Sequence, residues 1–255
     1  MHNLALALTP SYTLAQARAA YAAVIASYPL STWADNAQYQ IGKTYYDELN
    51  YVAAIPEFST VLTSYVLPTY ADSAQYYLAR SIHTLALVPA PAPAPVYTLA
   101  NARAEYAKLL ASSPTSYLAD NAQFQIGKTW YDELNYMQAI FEFSKGLANY
   151  PVATAVDETY YYRARSYEKL AAPDYLGARA DYSAIVNGYQ TSIYMDNAVY
   201  HVALTYHGTM QCATELLGMQ AFVAAYPLSP FVASANSHIT DLLAVPSLHH
   251  TICQP

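Results

Sequence analysis

The seventeen residues from Asp35 to Tyr51 return at Asp120 to Tyr136 with only two exchanges, Phe124 for Tyr39 and Trp130 for Tyr45. A block repeated this closely marks internal duplication, which restricts the chain to a stacked array of similar units. The two copies lie 85 residues apart, and a weaker third, Asp196-Asn197-Ala198-Val199-Tyr200, follows after another 76. The longer interval contains Val88-Pro89-Ala90-Pro91-Ala92-Pro93-Ala94-Pro95-Val96. Its alternating prolines lack the amide hydrogens that a helix needs and favour an extended polyproline II strut. Without that insert the large repeat is 76 residues long and divides into two similar halves.

Each half reads as two antiparallel helices. The best copies carry Gln38, Ile41, Gly42, Tyr45, Ala54 and Phe58, then Gln123, Ile126, Gly127, Trp130, Ala139, Phe143 and Pro151. Degenerate forms are Ala17, Tyr21, Pro29; Ala102, Tyr106, Pro114; and Ala178, Tyr182 with Gln190 where proline would fall. This spacing resembles the tetratricopeptide-repeat superfamily, whose pattern runs W-x2-L-G-x2-Y, A-x3-F, P. It is most similar to the long-loop variety among periplasmic proteins of outer-membrane assembly and the Tol-Pal system, which also favour Tyr-Pro-x-Ser between units. The resemblance implies an all-α, right-handed superhelical solenoid of about twelve antiparallel helices. That solenoid covers residues 12–244, with the Pro-Ala insert at 88–96, an N-terminal segment at 1–11 and a C-terminal tail at 245–255.

In such an array the small Gly42, Ala54, Gly127 and Ala139 let paired helices approach, and Tyr45, Phe58, Trp130 and Phe143 fill the grooves between hairpins. Ser31, Ser116, Ser192 and Ser229 precede helical stretches and are expected as N-caps. Asp35, Asp120 and Asp196 fall in the first turns, where they suit the helix dipole. Three departures from the pattern stand out. Gln occupies the tryptophan position in both good copies, Ala203 replaces the glycine, and Glu215 sits where the small alanine is expected. The last units are therefore expected either to pack less regularly or to present a different surface.

Only 11% of residues are charged, against roughly 25% in typical soluble proteins, whereas tyrosine occurs 28 times. Tyrosine supplies large contact area at low entropic cost, so the composition points to contact surfaces; alternatively it replaces Phe and Leu between helices with its hydroxyl reaching water. A net charge of −7 without a basic run argues against nucleic acid as partner. No stretch of about 18 apolar residues is present to span a membrane. The first ten residues lack a positive n-region, and no cysteine near the start supports a lipid anchor.

Chemistry-bearing patterns are sparse. Asp47-Glu48 and Asp132-Glu133 read as solvated turn charge, with Lys43 and Lys128 four residues earlier to pair with Asp47 and Asp132. No nucleophile elbow or phosphate loop occurs, so no catalytic residue and no cofactor is expected. His249, His250 and Cys253 crowd the tail but read as incidental, and His201 and His207, six apart, do not share a helix face; no metal site is expected. Cys212 and Cys253 permit a disulfide, two free thiols or an intermolecular bond. Arg18, Arg103 and Arg179 recur at one repeat position, and Arg80 and Arg165 at another. They either line a groove that favours acidic peptides or pair with neighbouring hairpins.

The array starts on a helix of the second type, about residues 13–28, and finishes on one of the first type, about 230–243. Head-to-tail completion of a hairpin between copies is the leading expectation, giving a filament or array in an extracellular or cell-envelope setting, with the cytoplasm not excluded. Candidate self-association residues are Leu4, Leu6, Leu8, Tyr21, Phe231, Leu242, Leu243 and Val245. The competing expectation is a monomeric envelope scaffold that binds a peptide or protein in its groove.

Overall fold

The computed structural model describes residues 13–88, 97–152 and 154–244, and its described residues form twelve α-helices and no strand. In chain order these are α1 (Leu14–Ser27), α2 (Thr32–Asp47), α3 (Tyr51–Ser64), α4 (Ala71–Ala86), α5 (Leu99–Ser112), α6 (Ala119–Asp132), α7 (Tyr136–Asn149), α8 (Val156–Glu168), α9 (Tyr175–Gly188), α10 (Met195–Gly208), α11 (Cys212–Ala225) and α12 (Val232–Ala244). Even-numbered helices are of the first type and odd-numbered of the second. The chain divides into two units between Thr129 and Trp130, within α6. In the first unit each helix from α1 to α5 packs on the next, and in the second each from α7 to α12 does so. The fold class is an all-α helical-repeat solenoid.

Side-chain caps start five of the six second-type helices, all but α11. Asn50 accepts from the Ala53 amide, Thr98 from Asn101, Asn135 from Gln138 and Asp174 from Gly177; α1 is capped in the same way by Thr13. Each satisfies one of the orphan amides of a first turn. The first-type helices end differently. The Leu49 amide donates to Tyr46 O and that of Asn50 to Tyr45 O, and the same pair of bonds recurs at Leu134/Asn135 and Met210/Gln211. This is the Schellman pattern, and it places Leu49, Leu134 and Met210 at φ near +60°, where glycine is the unstrained residue.

The serines expected as N-caps do something else. Ser31 makes no side-chain cap. The hydroxyls of Ser116, Ser192 and Ser229 accept from amides two residues on. Ser116 also donates to Asp72, and Ser229 to Asp196 at 2.7 Å. Asp35 accepts in the equivalent way from the Thr69 amide at 2.7 Å. The first-turn aspartates therefore staple one repeat to the loop that opens the next, a contact between distant residues that helix-end reasoning does not reach.

Packing follows the repeat. Ala17, Ala54, Ala102, Ala139 and Ala178 are fully buried, as are Phe58, Tyr106, Phe143 and Tyr182 four positions later. Gly42 lies against Phe58 so closely that a Cβ there would stand 2.8 Å from its ring. Gln at the tryptophan position has a partner of its own: Gln38 donates to Glu57, and Gln75 to the Glu105 carboxylate at 2.7 Å. In the second unit this inner polar pair becomes Arg163 and Asp181, joined by two bonds of 2.8 and 2.6 Å. Burial pushes the Asp181 carboxyl above its usual value, and Arg163 offsets that only in part.

Candidate interaction surface

Most tyrosines that the structure pairs are packing elements. One stack recurs between successive first-type helices: Tyr39 on Tyr70 (4.8 Å, 4°), Tyr161 on Tyr194 (4.3 Å, 17°) and Tyr200 on Phe231 (5.0 Å, 18°). A second joins each second-type helix to the following first-type one: Phe58 to Tyr77, Phe143 to Tyr162 and Tyr182 to His201. Offset and edge contacts of this kind stabilise beyond the area they bury. Burial raises the tyrosine pKa values through the array, with Tyr162 pushed up to about 12 and Tyr106 and Tyr182 held well above the ordinary range.

Exposed apolar side chains lie both in the loops and on helices. Leu30, Val152 and Leu228, each following a Tyr-Pro pair, are almost fully exposed. Leu49, Leu134 and Met210 project from the strained Schellman turns and are also exposed, as are Trp33 and Tyr117.

Arg18 reaches the Glu48 carboxylate at 2.7 Å and lies 4.3 Å from the Tyr45 ring centroid. Arg179 donates to Thr205 Oγ1, Thr205 O and Thr209 Oγ1 and covers Tyr206 at 3.6 Å. Both guanidiniums contact the following first-type helix. Arg103 is half-buried on α5. Lys43 pairs with Asp47 as its spacing predicts. Arg80 lies over Tyr76, and Arg165 joins a buried network: its Nη1 donates to His201 Nε2 at 3.1 Å, while His201 Nδ1 and the Tyr182 hydroxyl meet the Glu168 carboxylate at 2.8 and 3.0 Å.

Of the expected self-association residues, Tyr21, Phe231 and Leu242 are half-buried and Leu243 is exposed. Phe231 is engaged within its own unit by Tyr200. Leu4, Leu6, Leu8, Val245 and Cys253 lie outside the described residues. Cys212 is buried at the start of α11, and no described cysteine is a free thiol.

One cluster escaped the sequence reading. His207 on α10, Glu215 on α11 and His238 on α12 bring their ligand atoms within 4.8 Å of one another. A search for histidines on one helix face does not find it, because the three residues come from three helices. The available signal was Glu215, the carboxylate that replaces the repeat's alanine.

No family model matches the sequence, and no curated protein sequence matches it. Solved structures do match in fold. A tetratricopeptide repeat protein from Parabacteroides merdae aligns at a TM-score of 0.63 and 11% identity, over 87% of this chain and 80% of its own. The chain has the tetratricopeptide-repeat fold. MamA aligns at a TM-score of 0.59 and 13% identity over 76% of this chain and 92% of its own. A chain of the APC/C Cut9–Hcn1 hetero-tetramer aligns at 0.53 and 14%, over 90% of this chain and 40% of its own. No described helix is long and apolar enough to cross a membrane.

Proposed function

We propose that this chain is a non-catalytic interaction scaffold that associates with copies of itself head to tail, α12 of one copy meeting α1 of the next. The observation that carries the reading is the exposed surface of those two helices. Each has a single fully buried residue, Ala17 and Ala235. The face of α1 turned away from its neighbour exposes Ala15, Ala19, Ala22 and Ala26, a stripe that lets another helix approach closely. A heterologous contact of this sort builds a ring or a filament. The sparse charge, and the exposed aliphatic residues of the loops, suit a surface used for contact. An envelope or extracellular setting fits a chain whose Cys212 is not a free thiol.

Light scattering after size exclusion and negative-stain microscopy test this. Wild type is expected as concentration-dependent multiples of 28.1 kDa, and the double variant Ala19→Glu/Ala22→Glu, altered only on the exposed face, as a helical 28.1 kDa monomer. A wild-type monomer at every concentration up to the solubility limit sinks the proposal. A second reading, a monomeric scaffold for a peptide, is favoured by a cleft of about 490 Å³ in the second unit. Val186, Val199, Val202, Tyr206 and Leu217 line it, and its size suits a ligand site. Under that reading, peptides selected on the monomer lose binding in Leu217→Asp.

A further inference from the structure

We propose that His207, Glu215 and His238 form a binding site for a divalent transition metal of the zinc class, which clamps α12 onto the α10–α11 hairpin. The repeat itself makes the argument. His207 occupies the register of Tyr46 and Tyr131, and His238 that of Tyr77 and Tyr162. In the earlier repeats these positions meet as edge-on aromatic pairs, Tyr46 with Tyr77 at 4.9 Å and Tyr131 with Tyr162 at 5.3 Å. His207 and His238 keep that edge-on meeting, with ring centroids 5.6 Å apart at 80°. Beneath them, the register of Ala54 and Ala139 is taken by Glu215. Three departures from the repeat thus fall at one interface, and each introduces a metal-ligating side chain.

The geometry is that of a chelate. His207 Nδ1 lies 2.9 Å from Glu215 Oε2, and His238 Nδ1 lies 2.9 Å from Oε1. Glu215 is fully buried, yet its Oε1 has no hydrogen-bond partner, because the His238 nitrogen approaches within ion-pair distance but off the direction of a hydrogen bond. A buried carboxylate with an unsatisfied oxygen aimed between two imidazoles is a costly arrangement for packing alone. A cation drawn between the three ligand atoms satisfies it.

The donor set selects the ion. Two imidazole nitrogens and one carboxylate oxygen suit zinc and its neighbours, whereas calcium and magnesium prefer all-oxygen shells. Bond lengths near 2.0–2.1 Å place three tetrahedral ligands roughly 3.3–3.5 Å apart, so the atoms need move by about an ångström or less to enclose the ion. His207 is half exposed, which leaves a path for the ion and for a water as fourth ligand. A metal bridge at α12 supplies the attachment that the aromatic pair supplies in the earlier repeats.

The test uses the full chain stripped with a chelator and titrated with zinc chloride by calorimetry, with cobalt(II) absorption as a geometric reporter. Expected are one ion per chain, the visible bands of a tetrahedral cobalt site, and a zinc-dependent rise in the thermal midpoint. His238→Ala and Glu215→Ala are expected to abolish all three. Glu215→Ala restores the residue of the other repeats, so it is expected to fold as well as wild type, and a loss of binding there is not a loss of folding. His249→Ala/His250→Ala, in the tail, is expected to bind as wild type does. Absence of zinc binding to wild type overturns the proposal, and so does binding that survives Glu215→Ala or vanishes in the tail variant.

Discussion

Tyr106 and Tyr182 occupy the same register of the repeat, and removing the hydroxyl is expected to have opposite effects at the two. Tyr106 is fully buried on α5, and its hydroxyl has no hydrogen-bond partner among the described residues. An unsatisfied buried polar group costs about 1–3 kcal/mol. Tyr106→Phe keeps the ring and matches Phe58 and Phe143, the residues that the chain places at the equivalent positions. After allowing for the small void left behind, a gain of about 1 kcal/mol is expected. The Tyr182 hydroxyl instead donates to the Glu168 carboxylate at 3.0 Å. A bond to a charged group contributes about 1.5–3 kcal/mol, and Glu168 keeps its contact with His201, so Tyr182→Phe is expected to cost about 1–2 kcal/mol. Urea unfolding followed by circular dichroism reads both. With an m-value of about 2–3 kcal/mol per molar, Tyr106→Phe raises the midpoint by about 0.3–0.5 M and Tyr182→Phe lowers it by a similar or larger amount. A lowered midpoint for Tyr106→Phe, or shifts of the same sign in both, refutes the reasoning.

Gly42→Ala gains about 1 kcal/mol in helix propensity but drives a Cβ to 2.8 Å from the buried Phe58 ring, an overpacking that costs about 1–3 kcal/mol. A net loss of about 1 kcal/mol is expected, and a raised thermal midpoint contradicts it. Alkali should unfold the array through its buried tyrosines. Burial raises Tyr39, Tyr76, Tyr106, Tyr162 and Tyr182 above the unfolded value near 10, so their stabilisation is complete below pH 10 and is lost as pH rises above it through their raised folded-state values. Tyrosinate absorbance is expected to rise in two phases, the second coinciding with loss of helix; a single early phase with helix retained is the contrary result.

Much of the architecture was legible because a repeat states its own period. The duplicated block at Asp35 and Asp120, the small residues Gly42 and Ala54 and the large Phe58 identify helix type, order and pairing, since these depend on local spacing and side-chain size. The Schellman turns were less legible, because Leu49, Leu134 and Met210 stand where glycine is usual and conceal the turn chemistry.

Contacts between repeats were not legible, and the candidate site depends on them. Ser116 and Ser229 look like caps from their neighbours in the chain, yet they bond to Asp72 and Asp196, 44 and 33 residues away. The rings that Arg18 and Arg179 cover, Tyr45 and Tyr206, lie on a neighbouring helix. Glu215 stands out as a departure from the repeat, but only the stacking of α10, α11 and α12 brings His207 and His238 to it. The sequence by itself determined the repeat, the helices and the small-to-large packing code, because those are set within one hairpin. The tertiary structure decided which polar groups meet, because a partner on another helix depends on how the helices pack, a relation that no spacing along the chain encodes.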